Sequence, residues 1–257
     1  MVSLLELLLE TGTLKDAAEM WGVTPEQAAL RLREVPFVVL SHADVRGGGR
    51  GRPARRLALD PSWRFDKHTE GRPLGTLLHH LRTLHALGER FALGVPLTSV
   101  YWHPFLHPTV RIWAPPETFS LWNRLFAGTY GALEIAVDVL PPSAGTAEFE
   151  GVPVLDEQTA IVDALQEFRR LRNVNLVALA DCIAHRSNQL KDAERLAKER
   201  GLDGEVLYLG DHRRRGALRV VRPEEARRAH RLVVEFSRVP PGTKFAELLE
   251  REAAAGD

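Results

Sequence analysis

Arginine side chains occur in two short runs that contain no acidic residue, and such runs favour binding of phosphate groups. The first run gives a local charge of +5 over eleven residues. The whole chain carries 34 basic and 34 acidic side chains, so concentrated positive charge on a neutral background indicates a specific anionic partner. The first run contains Arg46, Arg50, Arg52, Arg55 and Arg56, and the second contains Arg213, Arg214, Arg215, Arg219 and Arg222.

The centre of the first run has a spacing suited to a narrow DNA groove. Gly49-Arg50-Gly51-Arg52-Pro53 resembles the core of an AT-hook, in which an extended Arg-Gly-Arg-Pro segment lies in the minor groove of A·T-rich DNA. Glycine lets the backbone approach the groove floor, and the negative potential there attracts arginine. Because one tight turn could not hold this segment, we expect a long basic loop.

Side chains that could support catalysis do not form a recognisable pattern. His103 and His107 have the spacing of a helical metal pair, but Pro104 and Pro108 interrupt that helix and no Glu follows His103. The acidic residues between Glu134 and Asp163 could supply a metal nuclease, yet no lysine accompanies them. No phosphate-binding glycine loop or nucleophile elbow is present. We therefore expect no enzyme activity, no metal and no cofactor.

Length and composition exclude several classes of protein. The chain has 257 residues, of which 44% are hydrophobic, and a single cysteine, which fits a soluble globular protein in a reducing compartment. The apolar run from Leu4 to Leu9 is broken by Glu6, lacks a basic leader and is too short to cross a bilayer. We expect a cytoplasmic protein without a membrane contact, with Cys182 in its core.

The N-terminal residues predict three short helices. Leucines share one face of residues 3–10, and apolar residues recur at helical spacing from Leu14 to Trp21. Gly22 then ends the second helix. Thr24, Pro25 and Gln27 provide an N-cap, a first-turn proline and a reciprocal cap for the third helix. Two helices joined by a tight Gly-Val turn predict a helix-turn-helix.

A hairpin with a basic tip is predicted to follow these helices. Residues 37–40 and 56–59 are short apolar strands on either side of the arginine run. Three helices and such a hairpin predict a winged helix-turn-helix, whose third helix enters the major groove while the wing contacts backbone or minor groove. Thr24, Gln27 and Arg31 are the candidates on the third helix. Glutamine suits adenine and arginine suits guanine, although both are also ordinary solvent-facing residues of a helix.

The remaining chain predicts an α+β architecture. We expect a boundary at residues 66–75, a helix at 74–91, strands at 110–114 and 133–140, and a helix at 119–126 between them. Further helices are expected at 159–171, 176–183, 189–200 and from Pro223. Strands and helices alternate too irregularly for a doubly wound sheet. The expected divisions are a winged helix at 1–65, an α+β region at 66–150 and a mainly helical region at 151–257, with the last two regions as separate domains or as one.

One short element carries a resemblance to a known family. Residues 152–165 read as a strand, a turn and a helix in which Thr159, Ile161, Asp163 and Leu165 follow the pattern Thr-x-Leu-x-Asp-x-Leu, with Ile161 at the first leucine position. This element resembles AbiE-type antitoxins, the transcriptional regulators of type IV toxin–antitoxin systems. The resemblance implies a winged helix followed by an α+β antitoxin domain, repression of the protein's own promoter, and a nucleotidyltransferase toxin as partner.

The sequence thus favours a regulator that binds double-stranded DNA, as a homodimer because one winged helix reads few base pairs. Arg213, Arg214 and Arg215 would add a second phosphate contact, although an Arg- and Glu-rich tail is often only solvated. Two alternatives remain open. The protein could be an adaptor or antitoxin that binds another protein, or a DNA-processing enzyme targeted by its winged helix.

Overall fold

The first three helices each begin at a reciprocal capping box, which stabilises helices this short. They are α1 (Leu4–Leu9), α2 (Leu14–Trp21) and α3 (Pro25–Leu32). In each box the N-cap side chain accepts a hydrogen bond from the backbone three residues later, and the side chain at that position accepts one in return. The pairs are Ser3 and Glu6, Thr13 and Asp16, and Thr24 and Gln27.

These elements come from a computed structural model that describes residues 3–42, 54–69, 71–94, 109–131, 133–141, 144–149, 151–187, 190–202, 221–236, 238 and 243–255. Within them, Gly22 lies in the left-handed region at φ 62° and ends α2. The N–H of Val23 donates to the carbonyl oxygen of Ala18 at 3.0 Å. The tight turn and the third helix expected from the sequence are therefore confirmed as local elements.

Two antiparallel strands follow the third helix. They are β1 (Val38–His42) and β2 (Arg55–Leu59), with Leu40 opposite Leu57 and Ser41 opposite Arg56. Leu57 is buried, and its N–H donates to the carbonyl oxygen of Gly12 at 2.8 Å. Thr13 forms a further β-bridge with Arg56. The linker between α1 and α2 therefore anchors the second strand of the hairpin from its other side.

The helix expected at 74–91 is wrong at its C-terminal end. A short 3-10 helix (Phe65–His68) precedes α4 (Pro73–Ala86), and β3 (Ala92–Gly94) begins six residues after α4 ends. Gly88 has φ 90°, a conformation that side-chain-bearing residues rarely adopt, and the N–H of Glu89 donates back to the carbonyl oxygen of Leu84. The leucine spacing continues into this turn, which is why periodicity alone extended the helix too far.

A mixed sheet of six strands forms the middle of the molecule. Its order is β5-β6-β4-β3-β8-β7, with β4 parallel to β6, β3 parallel to β8 and antiparallel pairs elsewhere. The expected strands at 110–114 and 133–140 and the helix at 119–126 are confirmed. Besides β3, the elements of this part are β4 (Thr109–Ala114), α5 (Phe119–Phe126), β5 (Gly128–Tyr130), β6 (Leu133–Val139), β7 (Thr146–Phe149) and β8 (Val152–Leu155).

Helices make up most of what is described after residue 156. Asp156 caps the first of them by accepting a hydrogen bond from the N–H of Thr159 at 2.8 Å. The helices are α6 (Glu157–Leu171), α7 (Val174–Ser187), α8 (Leu190–Glu199), α9 (Pro223–Phe236) and α10 (Thr243–Ala255). The helices predicted here from the sequence are confirmed, with ends that coincide or are shifted by at most four residues. The α+β fold class is confirmed as well.

Two buried clusters lie on the two faces of the sheet. Alternate residues of β4, Val110 and Ile112, belong to a cluster that also contains residues of α1 to α5 and the hairpin. The other cluster joins Leu155 to the helices from α6 to α9. The first cluster spans the division expected near residues 66–75, since Phe37 packs edge-to-face against Phe126 at 6.2 Å between ring centroids. No helix in the described ranges is both long and apolar enough to span a membrane.

Candidate nucleic-acid interface

The third helix divides cleanly into a buried and an exposed side. Ala28 and Leu32 are buried in the cluster that also contains residues of α1, α2 and the hairpin, whereas Gln27, Leu30 and Arg31 are exposed. This is the division expected from the spacing of the apolar residues. Whatever contacts this helix from outside therefore meets an amide, an apolar side chain and a guanidinium group within about one and a half turns.

Thr24 and Gln27 already serve one another as helix caps. The hydroxyl oxygen of Thr24 accepts from the N–H of Gln27 at 3.3 Å, and Oε1 of Gln27 accepts from the N–H of Thr24 at 3.1 Å. Bidentate recognition of adenine needs both the oxygen and the nitrogen of the glutamine amide. The cap uses one of the two lone pairs of this oxygen and fixes the orientation of the amide, so Gln27 can contact adenine only in the orientation that the cap sets unless the cap opens.

Arg31 lies against an aromatic ring. The central guanidinium carbon of Arg31 is 5.7 Å from the ring centroid of Trp21, at the end of α2. The Trp21 indole N–H donates to the carbonyl oxygen of Leu87 at 3.1 Å. Among the described residues no carboxylate pairs with Arg31, so its charge remains available to an external anion.

The second strand of the hairpin, which contacts α1 and α2, presents two arginines. Arg55 and Arg56 are both exposed on β2, and within the described part of the chain neither forms an ion pair with a carboxylate. Ser41 lies opposite Arg56, and its hydroxyl group donates to the Arg56 carbonyl oxygen at 3.5 Å. Arg46, Arg50 and Arg52, like Arg213, Arg214 and Arg215 near the C-terminus, lie outside the described residues.

Acidic side chains around these elements limit where a polyanion can bind. Residues 25–34 carry two acidic and two basic side chains, so the third helix has no net attraction for phosphate. An open cavity between α1 and α2 is lined by Glu10, Asp16 and Glu19 together with apolar groups. A bound duplex would therefore be attracted by the hairpin, and the cavity side of α2 would be unfavourable for it.

An ion network centred on the largely buried Arg111 and Glu167, on the opposite face of the sheet, was not predicted from the sequence. Nη2 of Arg111 on β4 donates to Glu167 on α6 at 2.9 Å, and Nε of Arg111 lies 3.0 Å from Asp138 on β6. Arg170 donates to the same Glu167 oxygen at 2.7 Å. Arg111 alternates with Val110 and Ile112 as a residue on the other face of a strand would. The residue spacing therefore does not indicate which side chains Arg111 contacts.

The charge balance of this network favours the ionised forms of Arg111 and Glu167. Burial raises the pKa of the Glu167 carboxyl, but hydrogen bonds from Arg111 and Arg170 outweigh burial and hold that pKa below its ordinary value. Burial likewise lowers the pKa of Arg111, and the carboxylates of Glu167, Asp163 and Asp138 more than compensate. The network consequently ties the sheet to α6 by charge pairs, as expected for a buried structural ion group.

The other residues considered for catalysis have structural neighbours. Cys182 is buried and its Sγ lies 3.9 Å from the carbonyl oxygen of Val233, as the sequence predicted. His85 lies 3.7 Å from Glu148. No cluster of three or more metal-ligating side chains occurs in the part of the chain that the structure describes. His103 and His107 lie outside that part.

Glu89 lies in the turn between α4 and β3 and contacts the first N-terminal helix, α1. Its Oε1 accepts a hydrogen bond from the N–H of Leu5 in the first turn of α1 at 2.9 Å, and only 3% of the residue is exposed. Burial raises the pKa of this carboxyl to about 7, even though hydrogen bonds from the N-terminus of α1 favour the charged form. The contact joins residues 84 positions apart, so no local pattern could reveal it.

Comparisons with protein-family models, curated proteins and solved structures find no match for this chain.

Proposed function

We propose that the protein is a sequence-specific transcriptional regulator that binds duplex DNA, with residues 1–65 acting as a winged helix-turn-helix. The observation that carries this proposal is that Arg55 and Arg56 are exposed on a hairpin strand that contacts α1 and α2, with no carboxylate partner among the described residues. In such modules the third helix enters the major groove and the wing contacts backbone or minor groove. The proposal places the protein in the cytoplasm.

The third helix and the hairpin differ in charge, so they would contribute differently to DNA binding. The third helix is neutral overall, so Gln27 and Arg31 would contribute to the choice of base pairs more than to affinity. The arginines of the hairpin would supply most of the affinity, because counterions are released when they neutralise phosphates. The AT-hook-like tip would favour A·T-rich flanks with a narrow minor groove.

Size and resemblance extend the proposal to partners. One winged helix contacts few base pairs, so we propose that the protein binds two half-sites as a homodimer. In the segment that resembles AbiE-type antitoxins, the strand, the turn and the helix are Val152–Leu155, Asp156 and Glu157–Leu171. This supports the further proposal that the regulator represses its own promoter and is encoded beside a nucleotidyltransferase toxin.

The central experiment measures duplex binding by fluorescence anisotropy. We expect the wild-type protein to bind a labelled A·T-rich duplex, and the variant Arg50→Ala/Arg52→Ala to bind about tenfold or more weakly at 100 mM salt. The control variant Lys191→Ala/Lys198→Ala removes the same charge from an exposed face of α8 and should bind like wild type. Equal affinity of the hairpin variant and the control, or no binding by wild type, would refute the proposal.

A protein-binding adaptor is the second candidate, because the exposed centre of the third helix is apolar. Leu30 is 57% exposed, and the acidic residues Glu26 and Glu34 lie on either side of it along the chain. An apolar centre with an acidic rim suits a protein surface better than a phosphate backbone. A complex with the product of an adjacent gene that forms without DNA and is lost in Leu30→Glu would favour this candidate.

A further inference from the structure

Trp21 contacts two parts of the molecule that are far apart in sequence. The face of its ring lies against the Arg31 guanidinium group at 5.7 Å, and its edge donates a hydrogen bond to the Leu87 carbonyl oxygen at 3.1 Å. Trp21 is itself half-buried, while Arg31 is exposed. The indole therefore links an arginine on the exposed side of the third helix to the turn after α4.

The turn at residues 87–89 is a fixed support for this contact. Leu87 and Gly88 continue the backbone hydrogen bonds of α4, through bonds from their N–H groups to Leu84 and His85. Glu89, two residues after Leu87, accepts the N–H of Leu5 at the start of α1. Adjacent positions of one turn thus hold both α1 and α2, and the buried strand β3 begins three residues later.

We propose that Trp21 is a positioning residue that holds Arg31 in one orientation on the exposed side of the third helix, with the turn at residues 87–89 as its anchor. This inference rests on the proposed DNA binding, in which Arg31 contacts a base edge. An arginine side chain has many rotamers, and a bound state that fixes one of them loses their entropy. Stacking on an anchored indole restricts the rotamers before DNA arrives, so binding loses less entropy.

The contact itself can be measured without DNA. Aromatic ring currents shift the NMR signals of side chains that lie over a ring, and the Arg31 signals are identified by their absence in Arg31→Gln. We expect shifted Arg31 Cδ–H signals in wild type, a smaller shift in Trp21→Phe, and random-coil positions in Trp21→Leu. Arg31 signals that stay in the same place in all three proteins would overturn the inference, whether or not the protein binds DNA.

The effect on recognition is measured by a double-mutant cycle with an A·T-rich duplex. Trp21→Leu and Arg31→Gln should each weaken binding, the first by about two- to fivefold, and the combined variant should bind no more weakly than Arg31→Gln alone. The matched cycle uses Arg33→Gln, which removes an exposed arginine two residues away that contacts no ring among the described residues. In this cycle, the factors by which Trp21→Leu and Arg33→Gln each weaken binding should multiply in the combined variant.

Separate outcomes identify which proposal fails. Multiplying effects in the Arg31 cycle overturn the positioning role, even if wild type binds DNA well. No duplex binding by wild type, with the Arg31 signals still shifted by the ring, refutes the proposed function and leaves the contact established. Far-UV circular dichroism checks that each variant is folded, and Trp21→Phe, which keeps an aromatic ring, replaces Trp21→Leu throughout if the leucine variant unfolds.

Discussion

His80 is a buried histidine surrounded by aromatic side chains. It is 6% exposed, its ring lies 5.5 Å from Trp63 and 6.3 Å from Phe65, and Nε2 has no hydrogen-bond partner among the described residues. Burial, together with the nearby His79 and His68, lowers the pKa of His80 to about 4. The folded protein thus keeps this ring neutral at pH values where the unfolded chain protonates it.

This difference predicts a loss of stability in acid. The pKa of His80 is lower in the folded state than the ordinary 6.5, so its contribution is complete above pH 6.5 and is lost as the pH falls toward 4. His80→Phe should reduce the fall in unfolding free energy between pH 7 and pH 5 by about 1–2 kcal/mol. Urea unfolding at both pH values measures this, with His230→Gln as an exposed control. Identical pH dependence in wild type and His80→Phe would contradict it.

Glu89 predicts the opposite dependence on pH. Because burial raises the pKa of Glu89 to about 7 from an ordinary 4.5, its contribution to stability is complete below pH 4.5 and is lost as the pH rises through 7. Glu89→Gln keeps a carbonyl oxygen for the Leu5 N–H and carries no charge. We expect this variant to be more stable than wild type at pH 8 by on the order of 2 kcal/mol.

The comparison variant for Glu89 is Glu117→Gln, which changes an exposed carboxyl. Urea unfolding at pH 5 and pH 8 should show little change for that variant at either pH. An equal or lower stability of Glu89→Gln at pH 8 would mean that the carboxylate interacts favourably enough with the N-terminus of α1 to offset its burial.

The helices differ in how far along the chain their capping residues lie from the helix start. The first three helices are capped by residues within three positions, but α4 is capped by the C-terminal helix α10. Glu252 accepts hydrogen bonds from the N–H groups of Leu74 and Gly75 at 2.8 and 2.9 Å. The side chain of Arg72, the N-cap residue of α4, does not form the capping hydrogen bond. A carboxylate at this position also interacts favourably with the helix dipole.

Removing this carboxylate should weaken the attachment of the C-terminal helix. We expect Glu252→Ala to lower the free energy of unfolding by about 1–2 kcal/mol, because it leaves two N–H groups of α4 without their acceptor. Glu250→Ala removes an exposed carboxylate from the same helix and should cost less than about 0.5 kcal/mol. Thermal unfolding compares the two, and equal losses would show that Glu252 contributes only to the helix itself.

The same distinction explains which elements the sequence predicts. Thr24, Pro25 and Gln27 predict the start of the third helix from residues next to it in sequence, and the structure confirms this start. By contrast β3 has three residues, too few for an alternating pattern, and it is a strand only because β4 and β8 bond to it on both sides. The candidate interface could be proposed because it is local in sequence. The positioning contact of Trp21 with Leu87 joins residues 66 positions apart and needed the structure.

The sheet lies between two buried clusters, which together contain residues from most of the described helices and strands. The Arg111 network shows why such an arrangement cannot be read from the sequence. Arg111 and Glu167 are 56 residues apart, and their pairing depends on where α6 lies against β4. The ion pair of Arg111 with Asp138 depends on the parallel register of β4 with β6. A strand with an arginine between Val110 and Ile112 suggests an exposed face, yet here that face is covered.

The overall neutrality of the molecule makes its proposed DNA binding depend on few charges. With no net charge to attract a polyanion at long range, the slope of log affinity against log salt should report only the phosphates that the protein directly contacts, at about 0.9 per phosphate. Arg55→Ala/Arg56→Ala should therefore reduce the magnitude of this slope by about two. Fluorescence anisotropy between 50 and 300 mM salt measures it. If the slope is unchanged and the affinity is lower at every salt concentration, these arginines do not contact the phosphates. The loss of affinity would then come from a less stable hairpin.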